Sequence, residues 1–218
     1  MVAPLVEALL LRAARRRSAA TPAPRPTRLV SRPHPVDAVA YVDDDTSVLV
    51  ERPGSGLEVL PAGSLVLPAL LGLSAASHVV VTHQPVEVWL RVGPFETSDD
   101  RVVQQVELRL TVAVGTSPSG LREVADEPDG HGRPGLARFG DALLDRLARE
   151  VADRTADAVH RRTLDELTAL SLGVLLDGAL PGTFLGGLLE RSSLEVVDVD
   201  WPTEGRGWRP ALASSPAR

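Results

Sequence analysis

"RVVQQVELRLTVAV", residues 101–114, decides how this chain is read. From Val106 onward the apolar residues fall at every second position: Val106, Leu108, Leu110, Val112 and Val114. Glu107, Arg109 and Thr111 lie between them. Successive side chains of a strand point to opposite faces, so a period of two predicts a half-buried β-strand. The segments before it read the same way. "TSVLVER" (46–52), "LEVL" (57–60), "LVLP" (65–68), "HVVVTH" (78–83) and "VEVWLRV" (86–92) are short, apolar and largely β-branched. They are separated by Pro53-Gly54-Ser55-Gly56, by Pro61 and Gly63, and by Pro85, which are turn residues. No window between 38 and 114 sustains a helical period.

After residue 114 the period changes. "SPSGLREVADE" (117–127) predicts a short helix and "PDGHGRPG" (128–135) a loop. From Leu136 to about Arg162, Phe139, Leu143, Leu147 and Val151 repeat at i, i+4, the apolar stripe of a long amphipathic helix. Asp145–Arg149, Glu150–Arg154 and Asp157–Arg161 are spaced as ion pairs on its wet side. Thr163-x-x-Glu166 is a capping box and opens a second helix. "SLEVVDVDW" (193–201) predicts a closing strand that Pro202 ends. Strands followed by helices indicate an α+β fold: a largely antiparallel sheet in the N-terminal half, two or three helices, then the closing strand.

The apolar run from Arg161 to Leu189 is long enough to cross a bilayer. However, Asp177 would sit near its midpoint, and Pro181 disfavours helix at Leu180. The reading is a helix over 164–176, a break near 177–182 and a short helical segment to Glu190. Gly178, Gly182 and Gly186 repeat at small-xxx-small spacing and are the candidate self-contact. The alternative for these glycines is a bent core helix.

Charge is divided unevenly. The net charge is −6. Yet residues 1–36 carry Arg12, Arg15, Arg16, Arg17, Arg25, Arg28 and Arg32 against Glu7 alone. Residues 1–17 predict a short amphipathic, Arg-ended helix, with Arg12, Arg15, Arg16 and Arg17 as candidate contacts to an anionic surface. Its apolar part is shorter than the ~20 residues a span needs, and its charge order is not that of a signal peptide. Residues 18–37, with Pro22, Pro24, Pro26, Pro33 and Pro35, predict an extended Pro/Arg-rich linker. A single folded body is expected over 38–202, and a flexible tail over 203–218.

Composition removes much chemistry. The chain has no cysteine and no lysine. Disulfides, thiolate catalysis, a P-loop lysine and Schiff bases are excluded. His34, His78, His83, His131 and His160 show no metal-ligand spacing. Asp43-Asp44-Asp45 lacks the alternation of a calcium loop and reads as a solvated turn. "ERPGSGLE" (51–58) lacks the spacing of a phosphate loop and reads as a hairpin turn. No catalytic, cofactor-binding or metal residues are assigned, and no cofactor is expected. With few aromatics and an acidic body, nucleic acid is not the expected partner.

Four segments together resemble the band 7, or SPFH, superfamily of stomatin, prohibitin, flotillin and slipin-like proteins. "SVLVERPGSGLEVLPAGSLVLP" (47–68) is similar to its opening hairpin. "VVVTHQPVEVWLRVGPFETSDDRVVQQVELRLTVAV" (79–114) is similar to its paired strands, with Thr97-Ser98-Asp99 at the Thr-x-Asp turn. Residues 136–167 resemble its long helix leading to a Thr-Leu-x-x-Leu step, and 193–201 its closing strand. The resemblance covers roughly 46–202. It implies a non-enzymatic scaffold: a homo-oligomer that organises an anionic membrane surface or holds protein partners such as a protease. It also implies a location in the cytoplasm or peripheral to the inner face of a bacterial cytoplasmic membrane. The alternative is a soluble adaptor whose basic N-terminal arm binds an acidic partner or nucleic acid.

Overall fold

The computed structural model describes residues 27–36, 39–52, 56–66, 77–116, 118–126 and 135–202. Strands occupy the first half: β1 (His34–Pro35), β2 (Ala40–Tyr41), β3 (Thr46–Arg52), β4 (Gly56–Leu60), β5 (Leu65–Val66), β6 (Ser77–Thr82), β7 (Val86–Val92), β8 (Phe95–Glu96), β9 (Val102–Val103) and β10 (Gln105–Val114). Helices follow: α1 (Pro118–Asp126), α2 (Phe139–His160), α3 (Leu164–Ala169) and α4 (Leu172–Ala179). β11 (Thr183–Phe184) and β12 (Leu189–Asp200) close the chain. The fold is α+β. Two four-stranded sheets run in the orders β1-β6-β3-β4 and β11-β12-β10-β7, and β2-β5 and β8-β9 form two small ones.

The single body expected over 38–202 divides into two compact units. The first holds residues up to Val88, then Leu110–Glu150 and Pro181–Ser193. The second holds Trp89–Arg109, Val151–Leu180 and Leu194 onward. Four of the boundaries fall inside β7, β10, α2 and β12, and the fifth, between Leu180 and Pro181, follows α4.

In the first unit, β3 pairs antiparallel with β4 and β6, setting Val48 opposite Val80 and Leu60, and Leu49 opposite Val79 and Val59. Ser47, Val48, Leu49 and Val50 are all buried, so β3 is covered on both faces. On one face Val48 and Val50 pack with Val36, Val42 and Val66. The stretch 18–37, expected to be linker, is ordered structure from residue 27. Leu29, Val30 and Val36 are buried, β1 pairs with β6, and the Thr82 amide donates to the Leu29 carbonyl at 3.0 Å. The reason is that Arg and Pro dominate the composition there, but Leu29, Val30 and Val36 carry enough apolar surface to dock. Phe139, Leu143 and Leu147 of α2 are fully buried.

In the second unit the same stripe continues through Val151, Thr155 and Val159, all at 0% exposure. Thr155 is polar, and its hydroxyl donates to the Val151 carbonyl at 2.7 Å. The three ion pairs expected along α2 do not form. On the part of α2 that belongs to the first unit, Arg149 instead donates to the Asp145 backbone carbonyl, and Glu150 accepts from the Leu185 amide at 2.7 Å.

The run 161–189 departs from its expected shape in two places. The helix does not continue to Leu176 unbroken. Leu170 is extended (φ −89°, ψ 139°), and Ser171 starts α4. The helical segment expected before Glu190 is reduced to a three-residue 3-10 turn, Leu185–Gly187, at the tip of a hairpin. Leu185, Gly186 and Gly187 have φ of 52°, 66° and 93°, and they turn β11 into β12. Gly-Gly between apolar runs is a turn signal, because glycine adopts positive φ without strain. β12 therefore begins at Leu189 rather than 193. No helix among the described residues is long and apolar enough to cross a membrane.

Candidate functional site

A hydrogen-bonded polar group of the second unit is the turn between β8 and β9. The Thr97 side chain is buried, its hydroxyl donates to Asp99 Oδ1 at 2.6 Å, and it accepts from the Arg101 amide at 3.0 Å. The Thr97 amide donates to the Arg101 carbonyl at 2.8 Å, closing the turn. Asp100 takes a left-handed φ of 58°, a conformation Asp tolerates.

This turn holds the junction between α2 and α3. The Ser98 amide donates to the Arg162 carbonyl at 2.9 Å. The Leu164 amide, at the first position of α3, donates to Asp99 Oδ1 at 3.0 Å. Thr163 Oγ1 accepts from the Glu166 amide, and Glu166 reaches back to the Thr163 amide at 2.9 Å, so the expected capping box forms. The first turn of a helix has N–H groups without intrahelical partners, and Thr163 and Asp99 each take one. Arg101 lies 3.4 Å from Asp99 and 3.8 Å from Asp165. The Thr97 hydrogen bond, with the Leu164 amide and the Arg101 charge, holds the Asp99 carboxyl below its ordinary pKa. The sequence shows the Thr-x-Asp turn and the capping box separately. Their meeting across 65 residues has no local signal.

A second cluster in the first unit has the outline of a catalytic relay. Ser47 Oγ lies 2.9 Å from His83 Nε2, and His83 Nδ1 lies 2.9 Å from the Val114 carbonyl oxygen. A carbonyl only accepts, so Nδ1 carries the proton and Nε2 accepts from Ser47. Ser47 is only 1% exposed. A nucleophile must reach its substrate, so this arrangement satisfies buried polar groups and joins β3 to the end of β10. Asp45 accepts from the Gln84 side chain, and the Asp43 carbonyl accepts from the Thr46 amide. Among the described residues no three His, Asp or Glu side chains are grouped as a metal site.

The candidate self-contact glycines do not share a helix. Gly178 lies in α4. Gly182 precedes β11, and its carbonyl accepts from the Arg191 amide. Gly186 sits in the tight turn. A Cβ at any of the three would meet nothing within 4 Å. The candidate anionic-surface contacts Arg12, Arg15, Arg16 and Arg17 lie outside the described residues, as do the tail from 203 and the turn at 53–55.

The outer face of the second unit carries a ladder across three strands. Trp89 on β7 is 52% exposed, Arg109 on β10 stacks over its ring at 5.6 Å, and Arg109 pairs with Glu195 on β12. Beside it Arg91 pairs with Glu107 at 3.2 Å. No protein-family model matches the chain, and no curated protein matches it.

Proposed function

We propose that the chain is a non-enzymatic scaffold of the band 7 kind, which self-associates and holds protein partners or an anionic membrane surface. One observation carries this reading. The Thr97-Ser98-Asp99 turn and the Thr163-Leu164 step, two motifs of the resemblance far apart in sequence, are hydrogen-bonded to each other through Asp99 and Leu164. The hydrogen-bonded Thr97–Asp99 turn is then explained as an anchor for the helix junction. The order of hairpin, paired strands, long helix and closing strand also supports it.

The test is the size and membrane affinity of the full chain. Light scattering at micromolar concentration, with and without anionic vesicles, is expected to give a homo-oligomer or pelleting with the vesicles. A monodisperse monomer that stays in the supernatant would overturn the reading.

A further inference from the structure

The histidines are scattered along the sequence, and the strand pairing brings two of them together. His34 lies on β1 and His78 on β6, and they are directly opposed partners in the antiparallel pair. Opposed residues on neighbouring strands project to the same face, with Cβ atoms about 4.5–5.5 Å apart. The two imidazole ring centres are 5.9 Å apart, and the rings are tilted by 45° rather than stacked flat. Both histidines belong to the first unit.

The backbone sets this pair in advance. His34 stands between Pro33 and Pro35. Proline restricts the residue before it to extended conformations, so Pro35 holds His34 in strand geometry. Ser31 fixes the register beside it. Its amide donates to the Val80 carbonyl at 2.8 Å, and its hydroxyl accepts from the Val80 amide at 2.9 Å. β1 is the edge strand of its sheet, so His34 is exposed while His78 is half-buried. On its other side His78 faces Val50 of β3, which has no donor atom to offer a ligand.

We propose that His34 and His78 chelate one divalent transition-metal ion of the Zn²⁺ or Ni²⁺ class, with water in the remaining positions, and that the ion staples β1 to β6. Imidazole nitrogen suits these ions, whereas Mg²⁺ and Ca²⁺ take oxygen. Metal–nitrogen bonds of about 2.0–2.1 Å place two imidazole centres on one tetrahedral ion about 5 Å apart. Rotation of the exposed His34 side chain closes the observed separation to that value. The open edge admits the ion and its waters. A staple matters here because β1 is only two residues long. The other described histidines form no such pair: His83 is held by Ser47 and the Val114 carbonyl, and His160 ends α2 in the second unit. A metal site here is independent of whether the chain is a scaffold.

The test is calorimetry of the untagged full chain with Zn²⁺. Binding is expected with a Kd on the order of 10 µM, and Mg²⁺ at the same concentration should give no binding heat. His34→Phe keeps an aromatic ring beside His78 and removes the ligand. It should hold the metal-free thermal midpoint and weaken Zn²⁺ binding at least about tenfold. A bound ion must leave before β1 can detach, so Zn²⁺ at about ten times its Kd should slow tryptic cleavage after Arg28 by about tenfold. His34→Phe should show no such protection. No Zn²⁺ binding up to about 1 mM, undiminished binding by His34→Phe, or cleavage after Arg28 that Zn²⁺ leaves unchanged would each overturn the proposal. Equal binding of Mg²⁺ would also overturn it, since two imidazoles do not select that ion.

Discussion

Thr155 is the residue that apolar pattern-reading passes over. It stands four positions after Val151 and four before Val159, inside the buried stripe of α2. Its hydroxyl is satisfied by its own helix, at the Val151 carbonyl. Replacing it with an apolar group of the same shape removes a buried polar group without stranding an outside partner. Thr155→Val should therefore change stability by less than about 1 kcal/mol in a urea titration. Asp99 behaves in the opposite way, because its charge is used. Its carboxyl is held below the ordinary value, chiefly by the Thr97 hydroxyl. The stabilisation is fully present above the unfolded carboxylate pKa of ~3.9, and it is lost as pH falls through the lower folded value. Asp99→Asn should lower the thermal midpoint at pH 7. The gap between variant and parent should close as the pH is taken below about 4. A gap that stays constant over that range would mean the charge does not contribute.

Among the elements, those with a long uniform period were legible and those set by one or two residues were not. The alternation from Val106 to Val114 predicts β10, and the i, i+4 stripe predicts α2, because many side chains repeat the same signal. The capping box at Thr163 was also readable, since both partners lie within four residues. The break at Leu170 depends on a single extended residue followed by Ser171, a residue type suited to starting a helix. The β11–β12 hairpin depends on Leu185, Gly186 and Gly187 taking positive φ, and an apolar run with glycines reads equally as a bent helix. The two readings of these glycines differ in a measurable way. Nothing lies within 4 Å of a Cβ added at Gly187, whose φ is 93°. Gly187→Ala should thus destabilise by about 1–2 kcal/mol through backbone conformation alone. A neutral result in denaturant titration would restore the helical reading.

Over the whole molecule, packed structure is present earlier in the chain than the composition indicates. Leu29, Val30 and Val36 are buried, and Ser31 accepts from the Val80 amide at 2.9 Å through its hydroxyl. Each such apolar side chain contributes about 1.5–3 kcal/mol when fully buried. Removing 1–36 should lower the thermal midpoint by many degrees below that of a protein lacking only 1–26, or abolish folding. A Δ1–36 protein as stable as Δ1–26 would show that β1 and its neighbours do not hold the first unit. The α+β class was legible because strands and helices segregate along the chain. The division into two units was not, since four of its five boundaries cut through β7, β10, α2 and β12, and pattern is continuous there. The placement of two indoles has an optical consequence. Trp89 is 52% exposed beneath a guanidinium, while Trp201 lines a groove beside β12. In a variant with Trp89 and Trp208 changed to phenylalanine, the emission of Trp201 is the sole tryptophan signal. Its wavelength and its quenching by acrylamide then report the polarity of that groove directly, with no added dye.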